Sequence, residues 1–594
     1  MLITFLNWIY VAVTTYTVGY FVLKKILFLI YKDDSRKIRL MDCLMAGFFV
    51  ITMYAGFFSI FAKVGAAANV VLAAVCLVIM FLERKNITTP INIKNPLQNS
   101  AAGIAFYVLS ALVCIAALVY TAESTFHYDT GLYHAQAIRW AEEYGMVKGT
   151  GLLHFRLAYN STYFPLCALY SFRDITGGQS LHSLSGYIAL IVCIYSVYGI
   201  MRSVKNRTIL RASAFSDLLR IAPLLCLLIV CMEITSPETD FAVSFCFYWL
   251  CIRYAELCED SAEDTIAFAL LSVSSFAILG YKLTSAVVCL VIVKPLIELI
   301  VKHKKYGLIA VFGAMCLLLI LPYLIRNYFI SGWLIYPFDG IDIFNVPWKI
   351  PKEVLNGDAG MILQGSQVGN SGIPEGVSME AFGWLKRWWE DNYYATRMFY
   401  STLIMALPLC GIGVLFGIIV FAKKKKADPA AAGMLTLIVI LAFCLVFWFI
   451  KGPAIRYGYP CVLTFPLAVC GYVIYNAYRV ENHTAKIAAV LAAYAASVVV
   501  YLPTIISVPA IIKFNYEESV ARFSPKEHII SQVDYPVPEA NERQWHGVTV
   551  YWPKEGDQMW YVPFVSSPYD NVYEDVEWYG DDITDGMYLK NAGQ

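Results

Sequence analysis

Runs of about 20 apolar residues, the length that carries a helix across a bilayer, recur along this chain from Ile3 to Tyr501, with short charged or turn-forming segments between them. Lipid offers a backbone amide no partner, so each run must satisfy its own hydrogen bonds as a helix and pack into a bundle. The chain is 59% hydrophobic and 15% charged, against a soluble balance of about 45–50% apolar and 25% charged. On length and hydropathy, spans are expected at 5–30, 41–61, 66–83, 102–121, 179–201, 217–236, 238–257, 263–280, 283–301, 306–329, 398–421, 430–450, 458–478 and 484–505. That makes an all-α polytopic membrane bundle of about fourteen transmembrane helices. The first run, about Ile3 to Tyr31, is too long for a signal-peptide core and lacks a small-residue cleavage site, so it reads as a retained span.

Lysine and arginine set the orientation. They collect at Lys32/Arg36/Lys37/Arg39, Arg84/Lys85, Arg202/Lys205/Arg207/Arg211, Lys302/Lys304/Lys305 and Lys423 to Lys426, all on one side of the alternating spans. That side reads as cytoplasmic. The other side then holds the loop with Asp129, the turns "SPETD" (Ser236 to Asp240) and "GYKLTS" (Gly280 to Ser285), a long loop from about Ser331 to Thr396, "KGPAIRYGYP" (Lys451 to Pro460) and the C-terminal tail. A net charge of +1 gives no basic field for nucleic acid. The 16 cysteines, confined to Cys43–Cys470 and without CxxC pairs or zinc-ligand spacing, read as small buried hydrophobes.

Three features are not spans. Residues 128–144 form an amphipathic helix pattern, with Leu132, Ala135, Ile138 and Ala141 on one face and His134, Arg139, Glu142 and Glu143 opposite; such a helix is expected to lie along the membrane interface. "YFPLCALYSF" (Tyr163 to Phe172) is too short to cross and is expected to re-enter or pack on the bundle. The tail, about 507–594, carries "GVTVYWP" and "MWYVPFV", which suggest strands in a small domain of mixed or β character.

Ionisable residues at a membrane boundary are costly to hold there and are functional candidates. On the outward side these are Glu123, His127, Asp129 and His134 in the first loop, Glu238 and Asp240, Lys282, Arg326 with Asn327, and Arg456. Carboxylates beside guanidinium and ammonium groups suit a site that deprotonates a hydroxyl and holds a phosphate. Each residue also has an ordinary alternative. Asp129 sits where a helix N-cap would, and "SPETD" reads as a capping motif with Pro at the first helical position. Lys282 fits a snorkelling boundary lysine, and Arg326 and Arg456 fit boundary arginines paired with headgroups. His127 and His134 lack an assigned third metal ligand. The sequon Asn160-Ser161-Thr162 faces outward on this topology.

The outward loop "YDTGLYHAQAIRWAEEYG", followed by "SPETD", "GYKLTS" and "PYLIRNYFISGWLIYP", resembles the catalytic module of GT-C class membrane glycosyltransferases. More narrowly, "DTGLYHAQAIRW" followed by "LLHFRLAYNSTYFPL" is similar to an uncharacterised bacterial multi-pass family grouped with that fold. The resemblance divides the chain into extra N-terminal helices (1–100), a GT-C-like module (101–340) with its exoplasmic loop at 121–178, an extracytoplasmic loop (341–397), C-terminal helices (398–506) and the tail (507–594). It implies a glycosyltransferase of the bacterial inner membrane that moves a hexosyl or pentosyl group from a polyprenyl-phosphate donor to an envelope glycan or glycolipid on the extracytoplasmic side, with inversion. Asp129 would be the general base, and Glu238 or Asp240 the second acidic position that in some members helps bind a metal. Arg326, Arg456 and Lys282 would face the donor phosphate, and His127, Tyr133 and His134 would belong to the substrate loop. Here Thr130 follows Asp129 where most members carry a second acid, which counts against a metal-dependent version and leaves a divalent metal as an alternative only. The competing readings are a transporter, flippase or polymerase of lipid-linked sugars, which needs polar residues at the midplane, and a noncatalytic envelope scaffold.

Overall fold

The computed structural model describes residues 1–32, 38–90, 97–125, 127–177, 179–208, 213–369, 372–373, 377–391, 397–398, 400–408, 411 and 428–590. Among the described residues, ten helices are long and apolar enough to cross a membrane: Leu2–Tyr31, Leu40–Phe61, Ala101–Ala122, Leu184–Asn206, Thr239–Ser261, Leu283–Lys302, Tyr306–Ser331, Pro429–Lys451, Ile455–Ala477 and His483–Arg522. The chain is a multi-pass membrane protein, mainly helical, with a small C-terminal β region.

Three expected spans differ among the described residues. Ala66–Leu82 and Thr265–Tyr281 are apolar helices of 17 residues each. The expected span 217–236 is broken into Ala214–Leu219, Ile221–Ile229 and a 3-10 turn at Cys231–Thr235. Pro223 explains the restart, because it cannot donate to the preceding turn and is tolerated only in the first turn of a new helix. Most of the expected span 398–421, and Arg36, Lys37, Arg211 and Lys423 to Lys426 of the basic clusters, lie outside the described residues.

Close backbone approach fixes the first helical pair. A Cβ on Gly47 would lie 1.7 Å from Thr15 O, so only glycine lets Leu2–Tyr31 and Leu40–Phe61 touch there, the small-residue contact common between membrane helices. At the end of the bundle carrying the basic clusters, Arg253 donates to both carboxylate oxygens of Asp42 at 2.7 and 3.0 Å. Arg253 and Arg220 also pair with Glu256, and Arg220 with Asp217. Every charge in this network has a partner, which is what buried ions require.

The opposite end is built from loops. After a π turn at Thr130–His134, the helix Ala135–Glu143 does not lie open along an interface as expected. His134, Arg139 and Glu142 of its polar face are buried: His134 packs against His127, Tyr133 and Phe164, and the C-terminal tail covers Arg139. Arg139 Nη1 donates to Val562 O at 2.6 Å and its guanidinium lies over the Tyr561 and Phe564 rings. Trp140 stacks edge-on with Phe564. The short apolar stretch forms the helix Tyr163–Tyr170, wholly buried against the bundle, as the packing alternative requires.

The tail begins later than expected, because the last helix runs 40 residues to Arg522. "GVTVYWP" forms the strand Val548–Pro553, antiparallel to Ala540–Trp545. "MWYVPFV" forms no strand; it is an irregular segment in which Trp560 and Val562 bond the loop through their backbone groups, while Tyr561 N donates to Pro536 O. A second small sheet pairs Val576–Trp578 with Met587–Leu589. The chain's beginning joins the same end: the Met1 amine donates to His528 O at 2.9 Å, and Leu2 N to Ile529 O at 2.8 Å.

Candidate functional site

Asp129 ends up between two arginines. Its Oδ1 accepts from Arg156 Nη1 at 3.2 Å, and its Oδ2 lies 3.1 Å from Arg456 Nη1. Although Asp129 stands at the N-cap position, its side chain makes no capping hydrogen bond, so the carboxylate serves the arginines and not the helix end. Glu238 likewise occupies the N-cap of Thr239–Ser261 without a side-chain capping bond, and Pro237 falls before the helix instead of at its first position. Neither acid does the capping work its sequence context suggested.

Around this pair the other boundary residues converge. His127 Nε2 lies 3.0 Å from Glu238 Oε2, 3.9 Å from Glu233 Oε2 and 3.2 Å from Arg456 Nη1. Lys282 Nζ pairs with Asp240 and sits 4.2 Å above the Tyr457 ring, while Arg456 Nη2 donates to Tyr457 OH at 2.9 Å. His134 stacks parallel to His127 with ring centroids 5.9 Å apart, and Tyr133 meets it edge-on at 4.3 Å. Thr130 Oγ1 and Ser236 Oγ, 2.6 Å apart, tie the first loop to the "SPETD" turn. Residues more than 300 positions apart thus share one cluster.

Two expected members stand elsewhere. Arg326 is buried and donates from Nε to Asn160 Oδ1 at 2.8 Å and from Nη1 to Ser59 Oγ at 2.7 Å; among the described residues no carboxylate pairs with it. Neutral amide and hydroxyl partners satisfy it inside the bundle, so it braces the loop instead of joining the acids. The same bonds remove the sequon from solvent, since Asn160 is buried and its Nδ2 donates to Tyr323 O at 3.0 Å and Asn327 Oδ1 at 3.2 Å. Glu123 bonds Ser519 on the last helix.

Three members were not anticipated. Glu233 was hidden in what reads as an apolar span. Arg156 lies in the 3-10 turn Phe155–Tyr159, where no periodicity draws attention to it. Asp358 comes from the helix Lys352–Val368 of the long loop, 3.5 Å from Arg156 Nε, and accepts from Tyr159 OH. An acid in the last turns of an apolar run was the one signal available for Glu233.

The charge states follow from this packing. Burial works against the Asp129 carboxylate, but Arg456, His134, His127 and Arg156 outweigh it and hold the group down at about 2. For His127, burial opposes the proton, and Glu238 with Glu233 behind it more than offsets that, raising the ring to about 9. Its Nε2 therefore donates toward Glu238, and Arg456 is held by Asp129. His134, buried without a comparable partner, is lowered to about 3 and is neutral.

The sign of the His127 shift gives a testable stability effect. The folded value lies above the ordinary 6.5, so the stabilisation is complete below about 6.5 and is lost as pH rises through about 9. His127→Gln is expected to flatten the fall of the thermal midpoint over that window. A variant with the same slope as the parent would mean that the ring is not charged in the folded protein.

His127, Glu233 and Glu238 also form a group that could hold a metal ion, with their ligand atoms within 4.8 Å of one another. The donor set fits a divalent cation, and the buried Glu233 Oε2 has no hydrogen-bond partner of its own, while His127 would have to give up the proton it shares with Glu238. Arg456 Nη1, 3.2 Å from His127 Nε2, would have to give way.

The family described as a domain of unknown function (DUF8201) matches residues 1–463, a stretch that includes every residue of the cluster and stops before the last helix and the tail. No curated protein and no solved structure matches the chain.

Proposed function

The chain belongs to the DUF8201 family, and from the site it carries we propose that it is a membrane glycosyltransferase with a GT-C-like module, transferring a sugar from a polyprenyl-phosphate donor to an envelope glycan or glycolipid. The membrane is the bacterial inner membrane, crossed about fourteen times if the broken and shorter helices and the apolar stretch 398–421 also span, and the active face is the extracytoplasmic one. The observation that carries the reading is the cluster in which Asp129 meets Arg156 and Arg456 beside Glu238, Asp240 and Lys282. A transporter would place such groups at the midplane; here they stand at helix ends and in loops.

In the reaction, the acceptor hydroxyl gives its proton to Asp129 as its oxygen attacks the anomeric carbon from the face opposite the phosphate. The bond from that carbon to the phosphate oxygen breaks, and polyprenyl phosphate leaves with the electron pair and the negative charge. Arg456, whose side chain is 39% exposed, is the cation best placed to meet that charge, with Lys282 and Arg156 beside it; guanidinium groups bind phosphate through paired donors. Arg326 has a bracing role. A divalent ion held by His127, Glu233 and Glu238 would supply further positive charge at the phosphate.

Purified protein offered radiolabelled hexosyl and pentosyl polyprenyl phosphates, with an envelope-glycan extract as acceptor, is expected to move label from the lipid to the water-soluble or glycolipid fraction. Donors that stay intact throughout the panel would overturn the reading.

A further inference from the structure

The tail brings a second set of groups to the rim of the pocket. Trp560 N donates to Gly131 O at 2.8 Å and Gln136 Nε2 to Trp560 O at 2.8 Å, which locks residues 557–561 against the loop two positions beyond Asp129. Beside this lock, Tyr128 OH donates to both carboxylate oxygens of Asp557, at 2.7 and 2.6 Å, and Gln558 Nε2 to Asp557 Oδ1 at 3.3 Å. Tyr569 completes the patch, close enough to Asp557 and Arg156 for their charges to act on its hydroxyl.

Exposure separates these rings from the aromatic core of the tail. Trp545, Tyr561 and Trp578 are buried in its small cores, whereas Tyr128 is 56% exposed and Tyr569 47% exposed. Two tyrosine faces in water, flanking a carboxylate and an amide, make a surface of mixed character. An acyl chain would leave Asp557 and Gln558 unused. A nucleic acid would meet the like charge of Asp557 and the neighbouring exposed Asp570.

A sugar ring uses all of it. Its C–H face packs on the electron-rich face of an aromatic ring, its hydroxyls donate to a carboxylate, and an amide both gives and accepts hydrogen bonds. The position fits as well, since Tyr128 adjoins the candidate base and Arg156, at the inner edge of the patch, is bonded to Asp129. We propose that Tyr128, Asp557, Gln558 and Tyr569 form a saccharide subsite that seats the acceptor sugar and turns its attacking hydroxyl toward Asp129. The assignment of that sugar as acceptor rests on the transferase reading above; the binding itself does not.

The test is saturation-transfer NMR on the full-length protein in nanodiscs, without donor, using maltotriose, mannotriose and chitotriose as probes. At least one trisaccharide is expected to receive saturation. Asp557→Asn and Tyr569→Ala should each cut that signal by about fivefold, and Tyr569→Phe, which keeps the ring, should retain it. Tyr569 is exposed, so the substitutions leave the fold to be checked by thermal melting alone. No signal from any trisaccharide, equal signals in parent and variants, or saturation passing only to an unstructured synthetic peptide would each overturn the subsite, the last by marking a protein-docking patch. Saccharide contact without donor turnover would sink the transferase reading and leave the subsite standing; donor turnover without saccharide contact would do the reverse.

Discussion

Asp129→Asn is expected to lower sugar transfer by about 10²–10⁴-fold, the range over which a positioned general base acts, while the protein remains inserted and folded. The asparagine keeps the shape and one acceptor oxygen for Arg156 and Arg456 but cannot take a proton. Arg156 retains Asp358, and Arg456 retains its bond to Tyr457, so loss of the carboxylate does not strip the cluster of order. The pH profile separates a base from a brace. A carboxylate held at about 2 is ionised across the whole physiological range, yet it is also a weak base while both arginines grip it. On the transferase reading a donor phosphate would resolve this tension by competing for Arg456 and Arg156, each bond to it relaxing their hold on Asp129. Arg456→Gln should therefore move the acid limb of kcat/KM upward in pH, because the depressed value rises once its strongest opposing charge is gone. An Asp129→Asn protein with full activity, or an Arg456→Gln profile identical to the parent's, would remove Asp129 from the base role.

What the sequence disclosed depended on how local each signal was. Asp129, Glu238, Asp240, Lys282 and Arg456 were legible because a charge beside an apolar run is expensive wherever it lies, and the basic clusters assign all five to one side without knowledge of packing. The same rule misplaced Arg326. A buried arginine can be satisfied by an amide and a hydroxyl, and Asn160 and Ser59 supply them from segments whose approach no spacing reveals. Glu233 was read into an apolar span that Pro223 and the Arg220 ion pairs break. Arg156 and Asp358 come from irregular or polar segments where neither period nor hydropathy marks a residue. The strand expected at "MWYVPFV" failed for a related reason: Trp560 and Val562 give their backbone groups to the loop helix, a long-range bond that alternation along the segment cannot anticipate.

That long-range contact carries the second large effect. Gly131→Val is expected to lift the tail from the loop, speeding proteolysis within 540–565 at least about tenfold, lowering the thermal midpoint and abolishing transfer with Asp129 still present. The cause is steric. A Cβ on Gly131 would sit 2.2 Å from Gln558 Oε1 and 2.4 Å from Trp560 Cε2. Gln558 can swing away, but the indole is held by the Trp560 N to Gly131 O bond and by Gln136. Overpacking of this kind costs about 1–3 kcal/mol, and loss of the hydrogen bond adds about 1 kcal/mol. Together these shift the docked population by roughly 30- to 1,000-fold, at 1.4 kcal/mol per tenfold. Gly131→Ala should show the same changes at smaller size. Gly313→Val is the matched control, because a Cβ there meets nothing within 4 Å and the site lies on a spanning helix far from the tail. If Gly131→Val left proteolysis and transfer at parental rates, the tail would be a passenger on the loop. If it sped proteolysis but spared transfer, Asp129 would be held in place by Arg156 and Arg456 alone.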